Sequence, residues 1–140
     1  MRDYIFRGFY PCEDGDEKIY IDGKEIIGRW VRSRGAIKNK YYAIMNVPRR
    51  GTGLAKRIEV IPQTVSLFTG KYDHYGKEIF EDDIVLEEQD NLISTVIWDD
   101  ELGTFRLEGL ADNYCIKDAH FKWSVKGNRF SNPEIKLKYC

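Results

Sequence analysis

Apolar and polar residues alternate along most of the chain with the two-residue period that is typical of β-strands. Many of the apolar positions hold aromatic or β-branched side chains, which fit the pleated surface of a sheet better than a helix. Residues 63–68 are too few for periodicity to separate a strand from a helical turn. In the first half of the chain the pattern predicts strands over residues 4–10, 18–21, 25–31, 41–47 and 57–61.

Turn-forming residues support these strands. Asp22 and Gly23 lie between the second and third predicted strands, and both residue types tolerate positive φ. A two-residue turn of this kind is a good signal for a β-hairpin. Pro11, Pro48 and Pro62 follow predicted strands and favour strand ends at those points.

The second half predicts a meander. Strands are expected over 84–86, 92–98 and 104–107, joined by short turns, and 122–125 is a plausible closing strand. Such a meander is the centre of a small SH3-like barrel. Residues 111–120 have room for one helical turn, and Pro133 suits the first position of a short terminal helix.

The predicted fold class is therefore mostly β, or β-rich α+β, with an SH3-like barrel in the second half and a strand-rich N-terminal half packed on it. The length fits one domain over residues 1–140, with 1–58 and 59–140 as candidate subdomains. The predicted core comprises residues on the apolar phase of these strands or in the central motif of residues 60–85: Phe6, Trp30, Ile61, Phe68, Ile79, Phe80, Ile84, Val85, Val96, Trp98, Phe105 and Leu107.

Composition narrows the protein class. Hydrophobic residues make up 42% and aromatics 14% of the chain, which is enough apolar surface for a packed core and argues against disorder. The three cysteines are far apart and odd in number, so reduced thiols are expected and not a disulfide framework or a zinc site. There is no apolar run of membrane-spanning length and no signal-peptide core. We therefore expect a cytoplasmic protein without a membrane role.

Charge is distributed unevenly, although the net charge is only −1. Residues 78–101 contain ten acids and no base: Glu78, Glu81, Asp82, Asp83, Glu87, Glu88, Asp90, Asp99, Asp100 and Glu101. Residues 29–57 contain nine cations and no acid, and they form the candidate interaction surface: Arg29, Arg32, Arg34, Lys38, Lys40, Arg49, Arg50, Lys56 and Arg57.

Several sequence motifs are spread over most of the chain. The central block is the longest, with Val60 to Gly70 followed by Asp73 to Val85. Shorter motifs are Phe6-Arg7-Gly8, Gly28-Arg29-Trp30-Val31 and the closing Gly127-Asn128 with Asn132-Pro133-Glu134. Together these motifs resemble the YopX family of phage and prophage proteins. The resemblance implies a phage or prophage origin and a β-rich fold with SH3-like barrel character, and it implies no particular activity.

The central block departs from the family pattern at three positions. His74 replaces a common Lys, Tyr75 replaces the usual Asn of the turn, and Asp82 replaces the usual Gly. Because Asp tolerates left-handed φ better than most residues, the bend at Asp82 can survive, and we expect positive φ there.

Catalytic motifs are not evident. Gly51 to Lys56 lacks the spacing of a phosphate-binding loop and reads better as a flexible turn. His74 and His120 have no partner at the spacing of a nucleophile or metal motif, and no basic residue is clearly placed to activate Cys115. We therefore predict that the chain is not an enzyme and needs no cofactor.

The acidic turns leave a metal site open as an alternative. Residues 81–83 and 99–101 could supply oxygen ligands to a divalent cation if they converge, although their spacing is not that of an EF-hand. The plainer interpretation is a pair of solvated loops that protect sheet edges. No metal ligand is assigned on this evidence.

The basic stretch admits two functions. Cations interleaved with Trp30, Tyr41 and Tyr42 have the composition of a nucleic-acid surface, because cations neutralise phosphates and aromatic rings stack on bases. The near match between nine cations and ten acids favours instead a protein partner or self-association. We expect a non-catalytic accessory protein that binds a protein, with a nucleic-acid-binding module as the alternative.

Overall fold

The structure is a computed structural model that describes residues 4–48, 51, 53–88, 91–109 and 123–135. The predicted mostly β class is confirmed, and the sheets include one that curls as a half-barrel. A 3-10 turn covers Pro62–Thr64 and a short helix covers 133–135, where Pro133 was expected to begin one. Within these residues there are twelve strands: β1 Phe6–Pro11, β2 Glu17–Ile21, β3 Lys24–Ser33, β4 Ala36–Lys38, β5 Ala43–Pro48, β6 Ala55–Val60, β7 Ser66–Tyr72, β8 Glu78–Phe80, β9 Asp83–Glu87, β10 Leu92–Asp99, β11 Thr104–Gly109 and β12 Trp123–Asn128.

The strands belong to two compact units, Met1–Leu67 and Phe68–Cys140. In the first unit, β2, β3 and β1 form one antiparallel sheet in that order, and β4, β5 and β6 form another. The predicted hairpin between β2 and β3 is confirmed, because Asp22 and Gly23 have φ of 51° and 78°. All of β6 lies in the first unit, where it pairs with β5.

The two sheets of the first unit share a core. Gly8 on β1 permits their close approach, since a Cβ at this position would lie 2.6 Å from the sulfur of Met45. Thr64 is fully buried and its hydroxyl accepts a hydrogen bond from the Phe9 N–H at 3.0 Å, which ties the 3-10 turn to β1. The buried centre consists of Ala43, Met45, Val60 and Val65, with Phe6, Tyr10, Val31, Ala36 and Ile58 packed around it.

The second unit is built on a four-stranded antiparallel sheet in the order β11, β10, β9, β12. The predicted meander corresponds to β9, β10 and β11, and the predicted closing strand corresponds to β12, which pairs with β9. A register shift between Val125 and Gly127 marks a bulge in β12. Phe68 on β7 pairs with Phe80 on β8, and their rings lie 5.6 Å apart.

Some elements differ from the sequence prediction. The pattern missed β4 and β8 because each has three residues, too few to display an alternation. Strand β7 begins at Ser66, within the residues for which periodicity could not separate a strand from a helical turn, and continues through Gly70 to Tyr72. The predicted helical turn over 111–120 lies outside the described residues.

The predicted core is largely confirmed, with one error. Phe80, Ile84, Val96 and Leu107 are buried, as are Ile79, Val85 and Phe105, whereas Phe6, Trp30, Ile61 and Phe68 are partly buried. Trp98 is 43% exposed, so its prediction was wrong. It lies near the end of β10, where its ring meets Phe105 edge-on and its indole N–H donates a 2.7 Å hydrogen bond to Asp100 at the surface.

The bend at Asp82 is confirmed as left-handed, with a φ of 73°. Its N–H donates to the Val96 carbonyl at 2.8 Å, and its own carbonyl accepts from the Arg129 N–H at 3.0 Å. The carboxylate also forms a 2.8 Å ion pair with the Arg129 guanidinium. Aspartate therefore supplies both the turn conformation and a link to the segment after β12.

Candidate interaction surface

Residues 78–101 are the acidic stretch, and most of its described acidic side chains make contacts within the fold. Asp83 and Glu87 are each 1% exposed, and Asp82 is buried against Arg129. The Asp83 carboxylate accepts a 2.8 Å hydrogen bond from the Phe80 N–H, and Glu88 accepts one from the Tyr75 hydroxyl at 3.0 Å. These acids act as turn and side-chain acceptors, so the described acids of residues 78–101 do not form an open surface of matching charge.

Asp99 shows how such an acid is held in its charged form. The Leu102 N–H donates to its carboxylate at 3.0 Å, the Arg106 guanidinium at 2.7 Å and the Glu101 N–H at 2.9 Å. These donors, led by the Leu102 amide, lower the pKa of Asp99 against a smaller opposing effect of burial. The charge of Asp99 therefore stabilises the turn between β10 and β11.

The candidate metal ligands are committed to other contacts. Asp82 and Asp99 pair with Arg129 and Arg106, and Asp83 caps the Phe80 amide. Across the described part of the chain, no three side chains of His, Cys, Asp or Glu converge into a group that could hold a metal ion.

Among the remaining candidate residues, the structure describes His74. His74 lies in the turn between β7 and β8, where its N–H donates to the Trp123 carbonyl at 2.8 Å and its ring lies 5.1 Å from that of Tyr75. His120 and Cys115 lie outside the described residues. No helix among the described residues has the length and apolar character needed to cross a membrane.

The basic stretch is more exposed than the acidic one. Arg29 on β3 is half-buried and forms a 3.4 Å ion pair with Asp14. Arg49 and Arg50 lie outside the described residues. The six other cations of the candidate interaction surface are exposed: Arg32, Arg34, Lys38, Lys40, Lys56 and Arg57.

These exposed cations do not lie on one face. Lys56 and Arg57 are neighbours on β6, and successive residues of a strand point to opposite faces of the sheet. Lys38 pairs with Ala43, whereas Arg57 pairs with Asn46, three residues further along β5. At about 3.3 Å per residue this separates them by roughly 10 Å along the strand direction. Four of the cations therefore form two groups at the two ends of the β4–β5–β6 sheet, with Lys38 and Lys40 at one end and Lys56 and Arg57 at the other, whereas Arg32 lies on β3.

Between the two groups, the outer face of the β4–β5–β6 sheet carries exposed aliphatic side chains. The inner face is formed by the core residues Ala43, Met45 and Val60, so the residues that alternate with them point outward. Ile37 is 57% exposed and lies directly opposite the half-buried Ile44. These isoleucines form an apolar centre on this face, and the exposed Glu59 and Arg57 of β6 lie beside it.

A shallow pocket of about 230 Å³ lies on this outer face. Apolar and polar residues share its lining, which is formed by Gly35, Ala36, Ile37, Ile44, Asn46 and Arg57. Asn46 and Arg57 are paired across β5 and β6 and are both exposed. The pocket therefore combines an aliphatic wall with a guanidinium and an amide, which is a combination suited to recognition and not to general acid–base chemistry.

The hairpin that joins β4 to β5 presents an aromatic side chain. Tyr41 is 81% exposed, and the Lys40 ammonium lies 5.7 Å from the centre of its ring. The Asn39 side-chain oxygen accepts hydrogen bonds from the N–H groups of Tyr41 and Tyr42 at 2.8 and 2.9 Å. The backbone that carries Tyr41 is thus ordered by a local turn.

Sequence reasoning identified the cations and tyrosines of this region but missed Ile37, Ile44 and Asn46. The signal for Ile44 was present, since residues 43–45 are apolar without interruption and a strand with a solvated face would alternate. Ile37 had no such signal, because β4 is too short for its phase to be read.

The sequence pattern described as YopX protein matches residues 12–136, which is most of the chain. No curated protein and no solved structure matches it. The extent of the match establishes that the chain belongs to the YopX protein family.

Proposed function

We propose that this YopX family member is a non-catalytic accessory protein of phage or prophage origin that binds a protein partner in the cytoplasm. The observation that carries the proposal is the outer face of the β4–β5–β6 sheet, where Ile37 is 57% exposed beside Ile44 and between two groups of cations. Exposed aliphatic side chains within a charged rim are typical of protein interfaces.

The charges of this surface favour an acidic partner. Arg57 is exposed on the outer face, and Arg34, Lys38 and Lys56 are exposed around the ends of the sheet, whereas Glu59, paired with Ile44 on the outer face, is the exposed acid among residues 34–48 and 53–60 of the described chain. A second copy of the chain is a weaker candidate, because Asp82, Asp83 and Glu87 are buried and cannot present their charge to it. Complementary charge would steer the association and set its specificity.

The proposal is tested with the purified partner. Proteins captured by the immobilised chain from the cells that produce it are identified, purified and titrated directly by calorimetry. Ile37→Ser should weaken binding about tenfold, as expected for loss of one buried aliphatic side chain at an interface. The matched control is Leu102→Ser, since Leu102 is 61% exposed in the second unit. Equal affinities for both variants and the unaltered chain would refute the proposal.

A second candidate is binding of single-stranded nucleic acid, and it is favoured by the hairpin tip. An exposed Tyr41 on an ordered turn, beside Lys40, can stack on a base while the ammonium contacts a phosphate. Anisotropy with a labelled oligonucleotide over a salt series tests this candidate, and affinity should fall steeply as salt rises. Tyr41→Ala should weaken binding about tenfold. Tyr75→Ala, at a 70% exposed tyrosine of the second unit, is the control and should have no effect.

A further inference from the structure

The pocket on the outer face is divided into two chemically distinct halves. Ile37 and Ile44 face each other across β4 and β5, and Asn46 and Arg57 face each other across β5 and β6. Directly paired residues of antiparallel strands project to the same side of the sheet. Ile44 and Asn46 are two residues apart, so the aliphatic and polar halves lie about 7 Å from each other along the strand.

Ser33 fixes the backbone behind the pocket. Ser33 is 3% exposed, and its hydroxyl contacts the carbonyl oxygens of Gly35, at 2.8 Å, and of Asn46. The same hydroxyl accepts a hydrogen bond from the Gly35 N–H at 3.2 Å. Two lining residues are thus held in place before any ligand binds, which reduces the entropic cost of recognition.

The guanidinium of Arg57 is available to a ligand. It is exposed, and no ion pair joins it to an acid in the part of the chain that the structure describes; the acid on the same face is Glu59, two residues further along β6 and opposite Ile44. Asn46 is exposed beside it and its side chain can add an amide donor. A planar guanidinium matches a carboxylate with two parallel hydrogen bonds, and the isoleucines would contact the methylene groups that carry that carboxylate.

We infer that this pocket binds a glutamate side chain of an acidic partner segment, with Arg57 as the charge partner, Asn46 as an amide donor and Ile37 and Ile44 against the methylene groups. This inference rests on the proposed protein-binding function and names the chemistry of the partner. At about 230 Å³ the pocket is smaller than the roughly 300–1,000 Å³ of cofactor and drug sites, so it fits one side chain. A free phosphate would use the guanidinium and leave the aliphatic half without a role.

The experiment is a titration followed by amide chemical shifts in NMR spectra. The probes are the capped tripeptide Ile-Glu-Ile, its neutral isostere Ile-Gln-Ile and inorganic phosphate. The Glu peptide should shift the amide signals of Gly35, Asn46 and Arg57 in a saturable way and bind at least tenfold more tightly than the Gln peptide. Equal binding of the two peptides, or displacement of the Glu peptide by an equal concentration of phosphate, would overturn the inference.

Two adjacent residues provide the matched variants. Arg57→Gln and Lys56→Gln remove the same charge from exposed neighbours on β6, but only Arg57 lines the pocket. Arg57→Gln should weaken binding of the Glu peptide at least tenfold, Arg57→Lys should weaken it by a smaller factor, and Lys56→Gln should leave it unchanged. Equal losses in Arg57→Gln and Lys56→Gln would mean that only general charge is sensed, and would overturn the inference.

Gly35 allows a steric test that does not depend on charge. A Cβ at Gly35 would meet no heavy atom within 4 Å, so Gly35→Leu should fold and add an apolar side chain at the lining of the pocket. Loss of Glu-peptide binding with otherwise unchanged spectra is the expected result, and retained binding contradicts the inference. If Ile37→Ser weakens the partner but Arg57→Gln does not, the proposed function stands and the glutamate pocket is wrong. If neither variant has an effect, both are wrong.

Discussion

Residues 29–57 carry nine cations and residues 78–101 carry ten acids, but the fold places the two sets in different environments. Six of the cations are exposed, and the guanidinium of Arg57 has no ion-pair partner within the described chain. In the acidic stretch, Asp83 and Glu87 are almost completely buried and Asp82 and Asp99 pair with arginines. Formal charge in a sequence window therefore does not measure the charge that the surface presents.

The difference follows from the chemistry of the side chains. Aspartate is short and accepts hydrogen bonds from nearby backbone N–H groups, so turns use it as an internal acceptor. Lysine and arginine are long donors whose charged ends reach water from strand positions. We therefore expect substitutions in the acidic stretch to alter stability and substitutions in the basic stretch to alter binding.

The largest effect on stability should come from substitution of Phe80, a buried aromatic residue within the acidic stretch. Phe80 is buried and packs against Phe68, so Phe80→Ala should lower the free energy of unfolding by about 4 kcal/mol. Urea denaturation followed by fluorescence measures this change. Tyr41→Ala in the basic stretch is the comparison and should change stability by less than about 0.5 kcal/mol. Similar losses in both variants would contradict the division between a structural and an exposed region.

Two substitutions of Asp82 should separate the conformational role of this residue from its ion pair with Arg129. Asp82→Ala loses the Arg129 contact and places an L side chain at a φ of 73°, and it should destabilise the protein by about 2 kcal/mol. Asp82→Gly loses the contact but tolerates the φ, so its cost should be about 1 kcal/mol smaller. Thermal unfolding of both variants checks the order. A glycine variant less stable than the alanine variant would show that positive φ is not the constraint.

Low pH should lower the stability of the second unit, because it protonates Asp73. Burial tends to raise the pKa of this carboxyl, but hydrogen bonds from the Val125, Lys77 and Tyr75 amides outweigh burial and lower the pKa. Because the folded-state pKa is below the unfolded value of about 3.9, the stabilisation is complete above that pH and is lost as pH falls through the folded pKa.

Asp73→Asn measures this contribution. The variant should be less stable than the unaltered chain at pH 6, and the difference should be smaller at pH 3, which lies below the unfolded pKa of about 3.9, because the unfolded chain then binds a proton that folded Asp73 resists. Urea unfolding at the two pH values provides the measurement. A difference that stays constant with pH would show that the Asp73 charge does not contribute.

The smallest effects on stability should come from substitutions in the basic stretch, residues 29–57. Lys56→Gln and Arg57→Gln should each change the free energy of unfolding by less than about 0.5 kcal/mol, because both side chains are exposed. If the cations form an open surface, moderate salt should raise the melting temperature slightly by screening their mutual repulsion. A melting temperature that falls with salt would indicate instead that the cations are paired, within the chain or between copies, and light scattering over the same series would detect the latter.

The sequence by itself determined the strands, the main turns and the family. Alternation and turn chemistry are local properties, so the hairpin at Asp22–Gly23 and the left-handed bend at Asp82 could be predicted from neighbouring residues. Apart from Trp98, the apolar residues of the long strands were also read correctly, because their phase repeats over several positions. The basic and acidic stretches could be identified from the sequence, but the exposure of their side chains could not.

Tertiary structure decided which residues share a surface. The exposure of Trp98 depends on where β10 leaves the core, and the pairing of Ile37 with Ile44 depends on a three-residue strand that has no periodicity of its own. The ion pair between Asp82 and Arg129 joins residues that are distant along the chain. Contacts of this kind are set by strand register and packing, which are long-range properties that no short window of sequence contains.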